Sequence, residues 1–558
     1  MNSRTRLTPG STLLPVLIAL AAGSASALAA APGIEIIALT GMPTSNGVMG
    51  DMSYRSTINS SGVVASYTSC TGTANGGRDS ELVFRGVPGA LIEIARSGTA
   101  APDANGLLQS PFGYGLNDSG LVCGSWFFNG AANNADFGVL SGSGGALTQV
   151  ARRGEPVPGG NGVFFQPQFS TPMPDNSIIF WSSIENGVPE SQTGIYRNVG
   201  GVSLAIARTG QPAPGGPGTF KYLGYGMDVN PSGQIAFSSS LDGAPDQYTD
   251  SGWFRTNGVN MVAIAREGDL MPDGNGQLYT ALGAGHTPSI GLDGTVAFFT
   301  DTLGTLAYPA DEYAVVFGNG GALKLALRSY QPAPDGNGRF GTPGYSSVLS
   351  DGRVILAADI YGSANPGTDD GGLYICDGST ITTVFRNGAP AASGAGTLAV
   401  GGWTHVDLNS HDDIAMLLEI RNAPPGSTPD AIYTKRQGQP WVEIIREGES
   451  FLGGTIAELD IAGNGTGPES HAINDSGQVV FRVQLTDGRT AVVRYTPPPS
   501  CVGDFNHDGE RNSLDLGILL SHFGQSVPAY TNGDADGNSQ VTTVDLGALL
   551  SHFGEPCR

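Results

Sequence analysis

Two short acidic segments near the C-terminus repeat each other. Asp504-Phe505-Asn506-His507-Asp508-Gly509 leads to Asp515-Leu516-Gly517, and Asp534-Ala535-Asp536-Gly537-Asn538-Ser539 leads to Asp545-Leu546-Gly547. Oxygen-bearing side chains at loop positions one, three, five and twelve can converge on one hard cation at about 2.3–2.6 Å, the arrangement Ca2+ prefers. In the first copy those places fall to Asp504, Asn506, Asp508 and Asp515, with the carbonyl of Glu510 at position seven. In the second they fall to Asp534, Asp536, Asn538 and Asp545, with Gln540 at seven. Gly509 provides the sharp turn at position six, whereas Ser539 stands there in the second copy and should strain it. The pattern predicts two Ca2+ ions, the second in the strained loop. Each copy then runs into Leu-Leu-Ser-His-Phe-Gly, ending at Gly524 and Gly554, which reads as an apolar helix after each loop.

The rest of the 558 residues must be understood through its turns. Eighty-five glycines with only 14% charged residues imply frequent turns, and a hydrophobic share of 39% spread in short runs implies many small strands. A net charge of −23 repels phosphate backbones and anionic lipid, which argues against nucleic-acid and membrane-surface partners. At the N-terminus, Arg4 and Arg6 precede an apolar run from Leu13 to Ala22 and then Ala25-Ser26-Ala27. That is the layout of a signal peptide over residues 1–29, too short in its apolar part to span a bilayer, and it predicts a secreted or cell-surface protein with no transmembrane anchor in the mature chain. In such a protein Cys501 and Cys557, which bracket the duplicated segment, are expected to form a disulfide. Cys70, Cys123 and Cys376 read as buried small hydrophobes.

Between these ends one phrase keeps returning: Ile94-Ala95-Arg96-Ser97-Gly98, Val150-Ala151-Arg152-Arg153-Gly154, Ile206-Ala207-Arg208-Thr209-Gly210 and Ile264-Ala265-Arg266-Glu267-Gly268, with weaker copies at Arg328, Arg386 and Arg446. The period of about 56–62 residues is in or just above the range of propeller blades. Each period holds four strand-like runs separated by turns such as Pro272-Asp273-Gly274-Asn275-Gly276 and Asn117-Asp118-Ser119-Gly120, where Gly and Asn suit positive φ. The second run occurs eight times, and the last period stops after its third strand, Ala491–Tyr495. The missing fourth strand is present at the other end of the chain, as Ile34–Leu39. An array whose first fragment completes its last unit predicts circular closure, which removes exposed sheet edges. The fold expected is mainly β: an eight-bladed β-propeller over residues 33–496 closed by the N-terminal strand, a Pro-rich linker at 497–500, and a small α-helical calcium module at 501–558.

Asp rather than Glu at position twelve, no helix before each loop and an apolar helix after it make residues 501–558 resemble the dockerin family. The flanking Cys501 and the Phe-Gly-x-x-Cys ending at Cys557 are similar to the GC-type dockerin tails of secreted bacterial proteins. The resemblance implies two Ca2+ ions and docking onto a cohesin-like or envelope protein. The propeller resembles uncharacterised tandem-repeat domains of exported bacterial proteins, which implies no activity.

Residues that break the repeat have no packing reason to be there. Tyr114, Tyr225, Tyr345 and Trp403, with His286, His405, Asp407, Glu469 and His471, fall on or just after the first strand of their blades. If that strand lines the central channel, the histidines and carboxylates form a polar patch near one mouth, able to bind a ligand such as a glycan. Asp273, Asp335 and Asp475 lie in turn phrases and read as turn-stabilising. The expected function is a secreted, non-catalytic binding or structural propeller attached through its calcium-dependent tail. The alternative is a polysaccharide hydrolase or lyase, which would need two carboxylates facing each other across the channel.

Overall fold

The computed structural model describes residues 33–187, 192–246, 248–279, 287–392, 394, 396–401, 404, 406–423, 429–461, 471–499, 501–506 and 510–555. The expected signal peptide, residues 1–29, lies outside them. Eight antiparallel sheets follow one another along the chain, the first seven wound from the inner to the outer strand in sequence order and the eighth completed by the N-terminal strand. Blade 2 is representative, with strands Leu107–Leu116, Val122–Asn129, Phe137–Gly142 and Thr148–Arg152. The eight-bladed propeller expected from the repeats is what the chain forms. Among the described residues no helix is long and apolar enough to cross a membrane.

The ring closes as the broken last repeat requires. Ile34–Leu39 pairs antiparallel with Thr490–Tyr495 as the outer strand of blade 8, in the register Ile34↔Tyr495 through Leu39↔Ala491 with a bulge between Ile36 and Ala38. A buried ion pair crosses this seam, with Arg494 Nη2 2.6 Å from Glu35 Oε2 and both side chains under 10% exposed. The alternating apolar faces of the strands pack between blades. Trp253 of blade 4 stacks on Phe298 of blade 5 at 4.1 Å between centroids, and the indole N–H of Trp181 donates across to the Leu223 carbonyl in the next blade.

Two sets of polar side chains tie this apolar packing together. The first is the repeated arginine. Arg328, 3% exposed, donates through Nε and Nη2 to both carboxylate oxygens of Asp273 at 3.0 Å and to the Asn275 carbonyl at 2.9 Å. Arg152, Arg208, Arg266 and Arg386 reach the carbonyls of Asn105, Asn161, Pro217 and Asn337 in the same way. Each arginine thus pins the end of a blade's outer strand to the turn that leads into that blade, and Asp273 and Asp335 are ion-pair partners as well as turn residues. The second set is asparagine. Asn59, Asn117, Asn409 and Asn474 accept from their own turns through Oδ1, while Nδ2 donates to the backbone of the next blade: Asn59 to Asn117 O, Asn117 to Met173 O, Asn409 to Asn474 O, and Asn474 to Asn59 O at 2.9 Å. The last of these bonds joins blade 8 to blade 1. Positive φ in these four turns is adopted by Gly62, Gly120, Asp412 and Gly477, and the leading asparagines serve because an amide offers an acceptor and a donor at once.

Removing a buried guanidinium leaves its acceptors without a partner. Arg328→Ala should therefore lower the unfolding free energy by about 2–4 kcal/mol in a denaturant titration. Arg328→Lys should restore little of it, since one ammonium does not span both oxygens of Asp273. Equal stability of all three chains would contradict the clamp.

Candidate binding sites in the channel and the C-terminal loops

The inner strands and the turns after them surround a cavity of about 450 Å³ at one mouth of the channel. Its wall mixes Met173, Met227, Leu292 and Tyr345 with the polar turn residues of the asparagine belt. Asp407 and His471, predicted from sequence as part of one patch, come together here from blades 7 and 8. Asp407 is 4% exposed; its Oδ2 accepts the Ala472 N–H and its Oδ1 lies 3.7 Å from His471 Nδ1. The imidazole projects into the lumen, walled on its sides but open to solvent. The Asp407 carboxylate beside it holds its pKa above the ordinary histidine value, and the charges of Asp228 and Asp475 add to the rise. Asp228 belongs to blade 4, so carboxylates from well-separated blades act on the same ring.

The other cavity carboxylates also have structural partners. Asp118 Oδ1 accepts from Ser60 N at 2.8 Å, Asp475 Oδ1 from Ser410 N at 2.9 Å, and Asp228 Oδ2 from Ile290 N at 2.9 Å. Each joins neighbouring blades, which gives Asp475 a role beyond its own turn. His286, His405 and Glu469 of the predicted patch lie outside the described residues, as does Trp403. Tyr345 lines the cavity, whereas Tyr114 is 7% exposed and donates its hydroxyl to the Arg55 carbonyl of blade 1. It packs between blades and does not face the lumen.

In the C-terminal segment the two copies fold alike. Helices α1, Ser513–Ser521, and α2, Thr543–Ser551, each begin with a capping box, Asn512 with Asp515 and Thr542 with Asp545. The carboxylate of Asp515 accepts from the backbone of Phe505, Asn506 and Asn512, and that of Asp545 from Ala535, Asp536 and Thr542, both side chains fully buried. Position twelve therefore caps the helix and folds the loop onto it. The spacing Asn512-x-x-Asp515 and Thr542-x-x-Asp545 carries this capping signal in the sequence, overlaid on the metal-ligand pattern. Leu519, Val541 and Leu549 form the small core of the segment. Leu514, Leu520 and Phe523 on one copy and Val544, Leu550 and Phe553 on the other stay exposed in matching places.

In the second loop, oxygens of Asp534, Asp536 and Asp545 lie within 4.8 Å of one another, the only such group among the described residues. Asp534 is fully buried, and burial pushes its pKa up to about 6, with the Asp545 charge contributing and hydrogen bonds from Tyr530 and Ser539 opposing. Three carboxylates and no nitrogen or sulfur donor fit a hard cation. Ser539 has φ +63°, so the serine does occupy the left-handed backbone expected of a glycine position. Asn538 and Gln540 are exposed beside the cluster. In the first loop Asp504 is 6% exposed, and Asn506 and Glu510 are exposed; Asp508 lies outside the described residues. Cys501 is disulfide-bonded, Cys557 lies outside the described residues, and Cys70, Cys123 and Cys376 are buried thiols.

The family of unknown function DUF7453 matches residues 27–271 and 242–494, and the chain belongs to it. No curated protein matches. Among solved structures the chain is similar to the β-propeller domain of the Trilobed protease from Pyrococcus furiosus, at 10% identity over 71% of this chain and 98% of that one, with a TM-score of 0.36. It is also similar to the acylaminoacyl peptidase of Pyrococcus horikoshii, at 9% identity over 76% and 56%, TM-score 0.33. A third is the α-L-arabinanase of Penicillium chrysogenum, at 13% over 59% and 92%, TM-score 0.26. Likenesses this distant lend the chain no activity.

Two measurements check these sites. In an NMR pH titration His471 should titrate above about 6.5, and Asp407→Asn should bring it down. Because the folded-state value is raised, the pair's contribution to stability is full at acid pH and fades as pH rises through that value. An unshifted His471 in the native chain would contradict the pair. Separately, Ser539→Gly should stabilise the second loop by about 1 kcal/mol, since glycine adopts positive φ without strain. A glycine variant no more stable than the native chain in thermal unfolding would remove the strain argument.

Proposed function

We propose, for a family that brings no activity of its own, that this is an exported, non-catalytic propeller that takes a ligand at its channel mouth and is attached to a partner by a calcium-ordered, dockerin-like tail. What carries the reading is the convergence of Asp534, Asp536 and Asp545 in a loop whose position-twelve residue also caps the following helix, a construction repeated around Asp515. Asp504, Asn506, Asp508 and Asp515, with the Glu510 carbonyl, would hold one Ca2+; Asp534, Asp536, Asn538 and Asp545, with that of Gln540, would hold the other. Bound there, the ion neutralises crowded carboxylates and so supplies folding energy to a segment with a very small core. The matching exposed triads on α1 and α2 suit a cohesin-like or envelope partner, since they stay uncovered by the propeller.

The channel supports binding over catalysis. Asp118, Asp228, Asp407 and Asp475 all spend an oxygen on a backbone N–H between or within blades, which suits carboxylates that hold turns in place. Calorimetric titration of the full chain with CaCl2 should show two sites, and chelator should reduce the helical circular dichroism of the tail. Asp545→Asn should weaken one site by at least about tenfold. An absence of binding, with the tail equally helical in chelator, would overturn the proposal.

A further inference from the structure

The C-terminal segment is packed against the place where the ring closes. Gly33, just before the closing strand, donates its N–H to the carbonyl of Gly537 in the second loop at 2.9 Å, and its own carbonyl accepts from Thr496 N at 2.7 Å. One residue is thereby stitched to blade 8 on one side and to the loop on the other. Two residues on, Glu35 divides its carboxylate in the same manner. Oε2 takes Arg494 through Nη2 at 2.6 Å and Nε at 3.2 Å, and Oε1 takes the backbone N–H of Ala529 at 3.3 Å.

Tyr530 fills the space between. A Cβ added to Gly537 would collide with its ring, so that glycine is needed for its approach, and one added to Gly33 would stand 3.3 Å from the same ring and 2.5 Å from the Thr496 carbonyl. Tyr530 holds φ +58°, and burial pushes its hydroxyl up to about 12, with Tyr495 of blade 8 contributing. Its backbone N–H donates to Asp534 Oδ2 at 3.0 Å. A continuous path therefore runs from a carboxylate of the second loop through Tyr530 and Ala529 to Glu35, and from Glu35 to Arg494 on the strand that the N-terminus completes.

We propose that the second loop is an intramolecular clasp on the ring: an ion held by Asp534, Asp536 and Asp545 fastens the N-terminal strand to blade 8. The inference rests on the calcium reading of that loop and adds a consequence to it. A cation that orders the loop fixes the Gly537 carbonyl and the Ala529-Tyr530 backbone against the strand. Opening the seam then requires disordering the loop, and ligand binding to the closed form resists opening by mass action. The matching exposed triads on the helices remain free for a partner, so the same segment can brace the ring and attach it.

The test is hydrogen exchange of the amides in Ile34–Leu39, in the full chain, with CaCl2 and with chelator, referenced to Ile235–Asp242 of blade 4. Calorimetry with CaCl2 runs in parallel. The clasp predicts that Ca2+ slows exchange in Ile34–Leu39 at least tenfold while the blade 4 reference changes little. In Asp536→Asn that response should be lost, and in Tyr530→Ala it should be lost although calorimetry still shows the ions bound. Ions bound with no change in Ile34–Leu39 would overturn the clasp and leave the calcium reading intact. A chain that binds no Ca2+ would overturn both.

Discussion

The ring depends on one antiparallel pairing between the two ends of the propeller sequence, Ile34–Leu39 on Thr490–Tyr495. A sheet edge left open there would expose unpaired backbone groups, and blade 8 would lack the surface against which blade 1 packs. The polar bonds around the seam show how much is placed on it. Glu35 neutralises the buried Arg494 guanidinium, which also donates to the Gly62 carbonyl in blade 1. Arg482, 2% exposed, pairs with Asp460 in its own blade and reaches Asp51 and the Met52 carbonyl in the next. A buried charge with an incomplete set of partners is strongly destabilising, so these arginines tolerate the closed arrangement and penalise the open one.

Seen from the channel, the same closure creates the candidate site. The asparagine belt passes from blade to blade and across the seam from Asn474 to Asn59, setting the turns at the mouth at a fixed spacing. Asp407 and His471 belong to neighbouring blades and meet only because that spacing holds. The carboxylates of Asp118, Asp228 and Asp475 share the construction, each spending an oxygen on the belt or on a neighbouring turn. The cavity is thus built from side chains that hold the ring, and a ligand there would touch the same groups that join the blades.

Much of this was written into the sequence, because the features concerned repeat. The Arg-x-Gly phrase marks the end of the outer strand in six of the eight blades, and the orphan third strand at Ala491–Tyr495 points to Ile34–Leu39 from the repeat alone. Ser539 at the glycine position announces its positive φ. What stayed illegible involves pairs without local pattern. Nothing near Tyr114 says that its hydroxyl binds the Arg55 carbonyl, and nothing near Ala529 or Tyr530 points to Glu35, almost the whole chain away. Asp515 and Asp545 were visible as candidate ligands, but their second role as helix caps emerges only when the loop is seen folded onto the helix.

The most direct measurement of the central claim is the solution behaviour of a chain lacking residues 1–39, compared with the full chain by sedimentation and denaturant unfolding. If the N-terminal strand completes blade 8, the shortened chain loses its cooperative unfolding transition and associates through the uncovered edge at Thr490–Tyr495. A shortened chain that stays monomeric and unfolds at the same midpoint as the full one would contradict the account.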